Sequence, residues 1–320
     1  MNLRKIKFPL DNYEILIKEI SGLKLDEWIN FWEKETAILS YVSEYYGKKW
    51  RDDWLWGVVL PLLYDVCNTT KYKNKRKVIG LSALPGTGKT TLGLLIERLA
   101  LKMNMKVSVV SMDDFYLPFS DMNLAIKNNP WNVSRGLPGS HSTYLIEDRI
   151  LEWMNSGIFN YPVFDKSLRN GLGDRSSWEV EFPEVLILEG WFLGVNQISS
   201  QEISNEKVKT YLYEEEVEYR LKIQNNLKEY FKIWKLIEKI WQIKPKEFSY
   251  MDDWKSEQEN EMLKLRGSAL VDNKLTNFLR MLNFSIPQES FNEINSRYKV
   301  ILNKNRELIS VSLNNSGNKF

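Results

Sequence analysis

The chain has one cysteine, Cys67, and one histidine, His141. A lone cysteine excludes an internal disulfide framework and a thiolate zinc cluster. A lone histidine excludes multi-histidine metal sites and the paired-histidine helix of zinc proteases. A surplus of one charge sign is missing too: 44 Lys and Arg face 42 Asp and Glu, a formal net charge of +2. That balance gives no electrostatic reason to expect nucleic acid or an anionic membrane as a partner. The longest apolar stretch, 55–67, is interrupted by Pro61 and Asp65 and is too short to span a bilayer, so a buried helix is expected there. The opening MNLRKIKFPLDNY carries charges with no apolar segment after them, so no targeting element is expected. These absences together predict a soluble protein of a reducing compartment, the cytoplasm.

What is present is ordinary globular material. Hydrophobic residues make up 43% of the 320 and charged residues 27%, which excludes fibrous and disordered classes. No internal repeat of 20 to 50 residues is visible. From 11 to about 70 the chain predicts helices rich in aromatics, with Trp28, Phe31, Trp32, Ile38 and Val42 at spacings near three and four. Asp26 is the expected N-cap of one of them and Gly47 its expected end. The Trp stripe predicts a core-facing helix side rather than a ligand platform.

From Lys77 the pattern changes. VIGLS is a short β-branched run, TTLGLLIERLALKM reads as a helix, and KVSVVS is a second strand. Strand, helix, strand at this spacing predicts an α/β fold with a parallel sheet flanked by helices. Further strands are expected at 184–188 and, more weakly, at 207–212. One long helix is expected over 214–240 and two more within 252–282. VILNKNRELISV predicts a β-hairpin, and the last residues, NNSGNKF, are expected to fray.

The strongest motif is ALPGTGKT, residues 83–90, between the first strand and the first helix of this unit. It fits the Walker A phosphate loop except that Ala83 replaces the first glycine. Leu84, Pro85, Gly86, Thr87, Gly88, Lys89, Thr90 and Thr91 are the expected nucleotide-binding residues. Small residues at Gly86 and Gly88 let backbone N–H groups of this segment wrap phosphate oxygens. Lys89 supplies a cation to the β- and γ-phosphates of a nucleotide, and Thr90 supplies a hydroxyl to Mg²⁺. The positive end of the following helix points at the same anions.

The second strand ends in Met112-Asp113-Asp114, and ligands of open parallel sheets sit beyond the carboxyl ends of the strands. A carboxylate at Asp113 can take a proton from an attacking hydroxyl or reach Mg²⁺ through water. For Asp114 a site role and a turn-capping role stay equally open. Glu189 closes the buried strand 184–188 and is the expected partner of Mg²⁺ through water. Two stretches dense in Gly, Pro and Arg lie between, at 129–141 and 161–175. They suit closure over a small anion, although composition alone favours surface turns with solvated charges.

Taken together, SMDDFYL (111–117), NPWNVSRGLPGSH (129–141), YPVFDKSLRNGLGDR (161–175), ILEGWFLG (187–194) and WKSEQE (254–259) resemble the D-glycerate 3-kinase family. That family belongs to the P-loop kinases, with uridine kinase and phosphoribulokinase as relatives. The resemblance covers most of 80–266 and implies a P-loop kinase domain, expected over 77–315; residues 1–76 carry little resemblance and are expected to be a helical extension packed on it. It implies transfer of the ATP γ-phosphate to the 3-hydroxyl of D-glycerate, a small-molecule partner. By the same resemblance Asp113 is the base, and Arg135, His141, Asp165, Lys166 and Arg175 surround the acceptor. A glycerate carboxylate needs a cation, and arginine grips one bidentately. Two other readings stay open at this stage. One is a kinase for another hydroxylated metabolite, uridine- or pantothenate-like. The other is a nucleotide-dependent regulatory ATPase.

Overall fold

The computed structural model describes residues 13–46, 51–69, 76–198, 211–267 and 269–314. Its principal helices are α1 (Tyr13–Ser21), α2 (Leu25–Lys34), α3 (Thr36–Tyr46), α4 (Leu60–Asn68), α5 (Lys89–Lys102), α6 (Phe119–Ala125), α7 (Thr143–Ser156), α8 (Glu214–Trp234), α9 (Tyr250–Arg266) and α10 (Asp272–Phe284). Six strands, β1 (Lys77–Ala83), β2 (Val107–Ser111), β5 (Val185–Gly190), β6 (Ile237–Pro245), β7 (Tyr298–Leu302) and β8 (Leu308–Leu313), form one sheet in the order β2-β5-β1-β6-β7-β8. The first five run parallel, and β8 closes the edge antiparallel to β7. A separate two-stranded ribbon pairs β3 (Phe159–Asp165) with β4 (Asp174–Glu181).

Both faces of the sheet are covered. The N-terminal helices and α5 bury Trp28, Trp32, Leu63 and Leu95 in one cluster with Ile79, Ile187 and Trp241 of the strands. On the other face α7, α8 and α10 bury Ile150, Ile223 and Met281 against Val78, Leu186 and Leu188. Strands buried on both sides are read as continuous apolar runs, as VLIL in β5 is. Helix α5 forms because Leu92, Leu95, Ile96 and Leu99 repeat at helical spacing, and all four are fully buried. Each such side chain contributes about 1.5–3 kcal/mol when removed from water. The 55–67 stretch is buried as expected: a widened helical turn, Leu55–Val59, runs directly into α4. No helix among the described residues is long and apolar enough to cross a membrane.

Three local expectations are corrected. Asp26 is not an N-cap: α2 begins at Leu25, and the backbone N–H of Lys24 is held by Glu27. The helix expected over 214–240 stops at Trp234, and Ile237–Pro245 is a central strand. Ile237, Ile240 and Trp241 sit at i, i+3 and i+4, a helical spacing. Pairing with β1 overrides it, because a strand there fills the gap between β1 and β7. The 161–175 stretch is not only loop but includes all but the start of β3 and the first residues of β4. Residues 176–180 of β4 are exposed, so no burial alternation announces that strand. The strand expected at 207–212 lies mostly outside the described residues, as do Gly47 and most of the C-terminal segment expected to fray.

Candidate functional site

The strand register assembles the phosphate side. In the β1–β5 pair Leu81 is opposite Glu189, and in the β2–β5 pair Ser111 is opposite Glu189. Glu189 therefore lies near the end of its strand, between the chain entering the phosphate loop and the chain carrying Asp113. The loop itself, 84–88, turns on two left-handed glycines, Gly86 at φ +78° and Gly88 at φ +93°. Their reasons differ. A Cβ on Gly86 would lie 2.6 Å from the carbonyl carbon of Trp254, so α9 packs directly on the loop. A Cβ on Gly88 would meet nothing within 4 Å, so only its conformation and the space before α5 demand glycine.

Pro85 lies in the loop without a backbone N–H to donate, and it shapes the turn. Thr87 N donates to Leu84 O at 3.4 Å, which closes a turn over 84–87 with Pro85 second and the left-handed Gly86 third. Proline fixes the backbone angle that the second position of such a turn needs, and glycine supplies the positive φ of the third. Thr87 tightens the same turn by donating its hydroxyl to Leu84 O at 2.8 Å. Arg306, in the β7–β8 turn, donates Nε to Gly86 O at 2.9 Å, and its guanidinium lies over the Trp254 ring.

Lys89 opens α5, with Thr90 and Thr91 exposed on the same first turn. Its Nζ is 3.8 Å from Glu189 Oε2. Glu189 is buried, and burial raises its carboxyl pKa despite the Lys89 charge. Oε2 has no hydrogen-bond partner. A buried carboxylate oxygen with acceptor capacity to spare, beside Lys89 whose chain neighbour Thr90 is exposed, offers carboxylate and hydroxyl oxygens of the kind Mg²⁺ takes. These residues fit the ion.

The acceptor side is built around Asp113. It lies on a single 3-10 turn, Met112–Phe115, capped by Ser111, whose Oγ accepts from Asp113 N at 3.2 Å. Lys166 Nζ donates to Asp113 Oδ2 at 2.6 Å, and His141 Nε2 lies 3.9 Å from Oδ1. Burial pushes the Asp113 carboxyl up, but Lys166 and His141 outweigh it and hold its pKa well below the usual carboxylate range. Asp113 is thus ionised across the neutral range. Its neighbour goes the other way. Asp114 Oδ1 accepts from Phe164 N at 3.4 Å, and burial raises its pKa to about 6. Asp114 links the end of β2 to the ribbon, which gives it a structural contact alongside its place at the site.

The two Gly- and Arg-rich stretches both converge here. The 135–141 loop is tied at three points. Trp191, just after β5, donates to Gly136 O at 3.0 Å, Asn226 donates to Pro138 O at 2.8 Å, and Gly139 N donates to the Tyr230 hydroxyl at 2.9 Å. Arg135 Nη1 donates to Gly171 O at 2.9 Å and to Leu172 O at 3.0 Å, joining the loop to the ribbon turn. Asp165 Oδ1 accepts from Ser167 N at 2.8 Å and from Ser167 Oγ at 2.6 Å, so it shapes the turn that presents Lys166. Arg175 Nε donates to Tyr116 O at 2.8 Å, while its Nη2 is buried without a partner. His141 Nε2 and Glu189 Oε2 are buried without partners as well. Buried polar groups are nearly always paired, so these three atoms have hydrogen-bonding capacity left for a ligand.

Three residues that were not among the candidates read from the sequence also contact this site. Tyr116 stacks on His141 with ring centroids 4.4 Å apart, Tyr230 meets the His141 Nδ1, and Arg306 braces the loop. Tyr116 lies inside one of the motifs. Tyr230 and Arg306 lie 89 and 220 residues from their partners and carry no local signal.

No family model matches the sequence. Relatives do. The chain is 32% identical over 216 residues to the chloroplastic D-glycerate 3-kinase of Arabidopsis thaliana, covering 63% of this chain and 45% of that protein. It is 27% identical over 225 residues to the uncharacterized kinase mug58 of Schizosaccharomyces pombe, covering 67% of this chain and 80% of that one. In three dimensions it matches the D-glycerate 3-kinase of Cryptococcus neoformans var. grubii with a TM-score of 0.69 at 25% identity, over 81% of this chain and 97% of the other. The chain thus spans less than half of the Arabidopsis protein and nearly all of the fungal structure. A phosphate loop on a mostly parallel sheet, with that likeness in sequence and in fold, makes this a P-loop kinase fold similar to the D-glycerate 3-kinases.

Proposed function

We propose that the protein transfers the γ-phosphate of ATP to the 3-hydroxyl of D-glycerate, giving 3-phosphoglycerate and ADP. The observation that carries this reading is the ionised Asp113 between Lys166 and His141, beyond the same sheet edge as Lys89. A small hydroxylated anion suits that place: its hydroxyl to Asp113, its carboxylate to Lys166 and the free Nη2 of Arg175. Asp113 orients the hydroxyl and takes its proton, typically worth about 10²–10⁴ in rate. The backbone N–H groups from Leu84 to Thr91, Pro85 excepted, and the Lys89 cation hold the phosphates and neutralise charge on the transferring group. Thr90 and, through water, Glu189 would hold Mg²⁺, which when bound adds positive charge against the β- and γ-oxygens. Arg135 and Asp165 fix the two loops that bring Lys166 and Arg175 to the acceptor. Residues 77–315 form the kinase unit in this reading, with 1–76 an extension packed on it, in the cytoplasm.

The test is an acceptor panel with Mg-ATP, reading ADP release and product mass. D-glycerate is set against L-glycerate, uridine, pantothenate, ribulose 5-phosphate and no acceptor. Stimulation by D-glycerate with a 3-phosphoglycerate product is expected. Stimulation by another member of the panel replaces the substrate. ADP release indifferent to all of them returns the regulatory ATPase reading.

A further inference from the structure

The buried ring of His141 has an orientation the mechanism above does not explain. Its Nδ1 lies 2.9 Å from the Tyr230 hydroxyl, and its Nε2 is orphaned, facing Asp113 Oδ1 at 3.9 Å. The ring cannot turn freely. It is stacked on Tyr116 at 4.4 Å and met edge-on by Phe192 and Tyr230, and its backbone bridges to Tyr116. Which nitrogen carries the proton follows from the Tyr230 hydroxyl. That oxygen already accepts from Gly139 N at 2.9 Å. Its own proton then needs an acceptor, and the partner within reach is His141 Nδ1. A proton on Nδ1 instead would leave the buried Tyr230 hydroxyl hydrogen with no place to go, an arrangement folded proteins avoid.

We propose that Tyr230 is a positioning residue that locks His141 as its Nε2–H tautomer and so aims an N–H at Asp113 Oδ1. The inference rests on the reading of Asp113 as the base. Lys166 holds one carboxylate oxygen at 2.6 Å, and the His141 N–H approaches the other. With both oxygens restrained, and the Tyr116 hydroxyl also facing the carboxylate, its plane is fixed and the remaining lone pairs are left for the acceptor hydroxyl. The 3.9 Å separation is too long for a hydrogen bond, so the contact tightens as the acceptor binds. Burial lowers the His141 pKa more than Asp113 raises it, which keeps the ring neutral so that tautomer, not charge, is what Tyr230 controls.

The lone histidine makes the test direct, because a tag-free, ¹⁵N-histidine-labelled full chain has one imidazole. Long-range ¹H–¹⁵N correlation is expected to show Nε2 protonated and Nδ1 bare. An Nδ1–H tautomer, or a ring protonated at neutral pH, overturns the proposal whatever the acceptor proves to be. Tyr230→Phe is expected to lose the single tautomer and to lower kcat about tenfold, as removing a histidine's orienting partner commonly does. The KM values for ATP and acceptor should move less than about twofold, since neither ligand touches Tyr230. In a His141→Gln background Tyr230→Phe should cost no further kcat, since its route to Asp113 is already cut. An equal loss in both backgrounds would show that Tyr230 acts through the fold alone.

Discussion

The two halves of the site are made differently. The phosphate half is one consecutive run, 84–91, and its recognition groups are mostly backbone N–H groups set by one turn and one helix start. The acceptor half draws Asp113, His141, Lys166, Arg175 and Tyr230 from five places and relies on side chains. One is fixed by local chain geometry and needs only small residues in the right conformation. The other exists once the sheet, the ribbon and α8 have packed. On the function proposed above, the first half is what any nucleotide-using protein of this fold needs, and substrate choice falls to the second half.

Breaking the phosphate half should cost most. Lys89→Ala is expected to lower kcat by about 10³ or more, because charge stabilisation dominates phosphoryl transfer. Steady-state kinetics with saturating acceptor check this, and retention of more than a tenth of wild-type kcat would show that the loop N–H groups suffice. Asp113→Asn comes next, with a loss of about 10²–10⁴ in kcat while ATP still binds. Calorimetric titration with Mg-ATP separates the two effects, and a parallel loss of ATP affinity would move Asp113 into the nucleotide site. Arg175→Ala should raise the acceptor KM at least about tenfold, the usual scale for losing a charged hydrogen bond, and leave the ATP KM alone. Equal rises in both constants would dissolve the distinction between the halves.

The smallest expected effect concerns stability. The Asp114 pKa stands at about 6 in the folded chain against an ordinary 3.8. A carboxyl raised on folding favours the folded state while protonated, so its penalty is absent below about pH 3.8. The penalty grows as the pH rises through 6 and is then constant. Asp114→Asn removes the charge and keeps an acceptor for Phe164 N. It should stabilise the protein by about 1–3 kcal/mol at pH 8, at about 1.36 kcal/mol per unit, and by almost nothing near pH 4. Thermal melts at the two pH values decide, and a pH-independent difference would show that Asp114 is held by something other than burial.

Legibility in the sequence divides along the same line. The phosphate loop, β1, α5, β2 and β5 are readable because each is a local pattern: an apolar run, a helical repeat, glycines at fixed spacing. The terminal hairpin is readable for the same reason. Pro85 shows the limit of a pattern, since the motif places it in the loop without saying that it shapes the turn and donates nothing. β6 is not readable, since Ile237, Ile240 and Trp241 satisfy a helix as well as a strand and only the place beside β1 decides. The β3–β4 ribbon hides because an exposed strand has no alternation to show. The motifs at 129–141 and 161–175 supply the acceptor residues through resemblance. Their division of labour, with Arg135 and Asp165 tying loops while Lys166 meets Asp113, is a matter of hydrogen bonds between distant segments.

The brace on the phosphate loop bears on how the chain comes into being. Arg306 reaches Gly86 from 220 residues further on, and the same turn is gripped by the N-terminal region: Trp54 donates to Arg306 O at 2.6 Å, and Leu308 N donates to Asp53 at 2.8 Å. During synthesis the loop leaves the ribosome long before its brace, and the segment that will hold the brace leaves earlier still. The brace on the loop therefore forms late, when the stretch around residue 306 folds back onto both. A polypeptide cut short of that point carries the whole phosphate motif without this support.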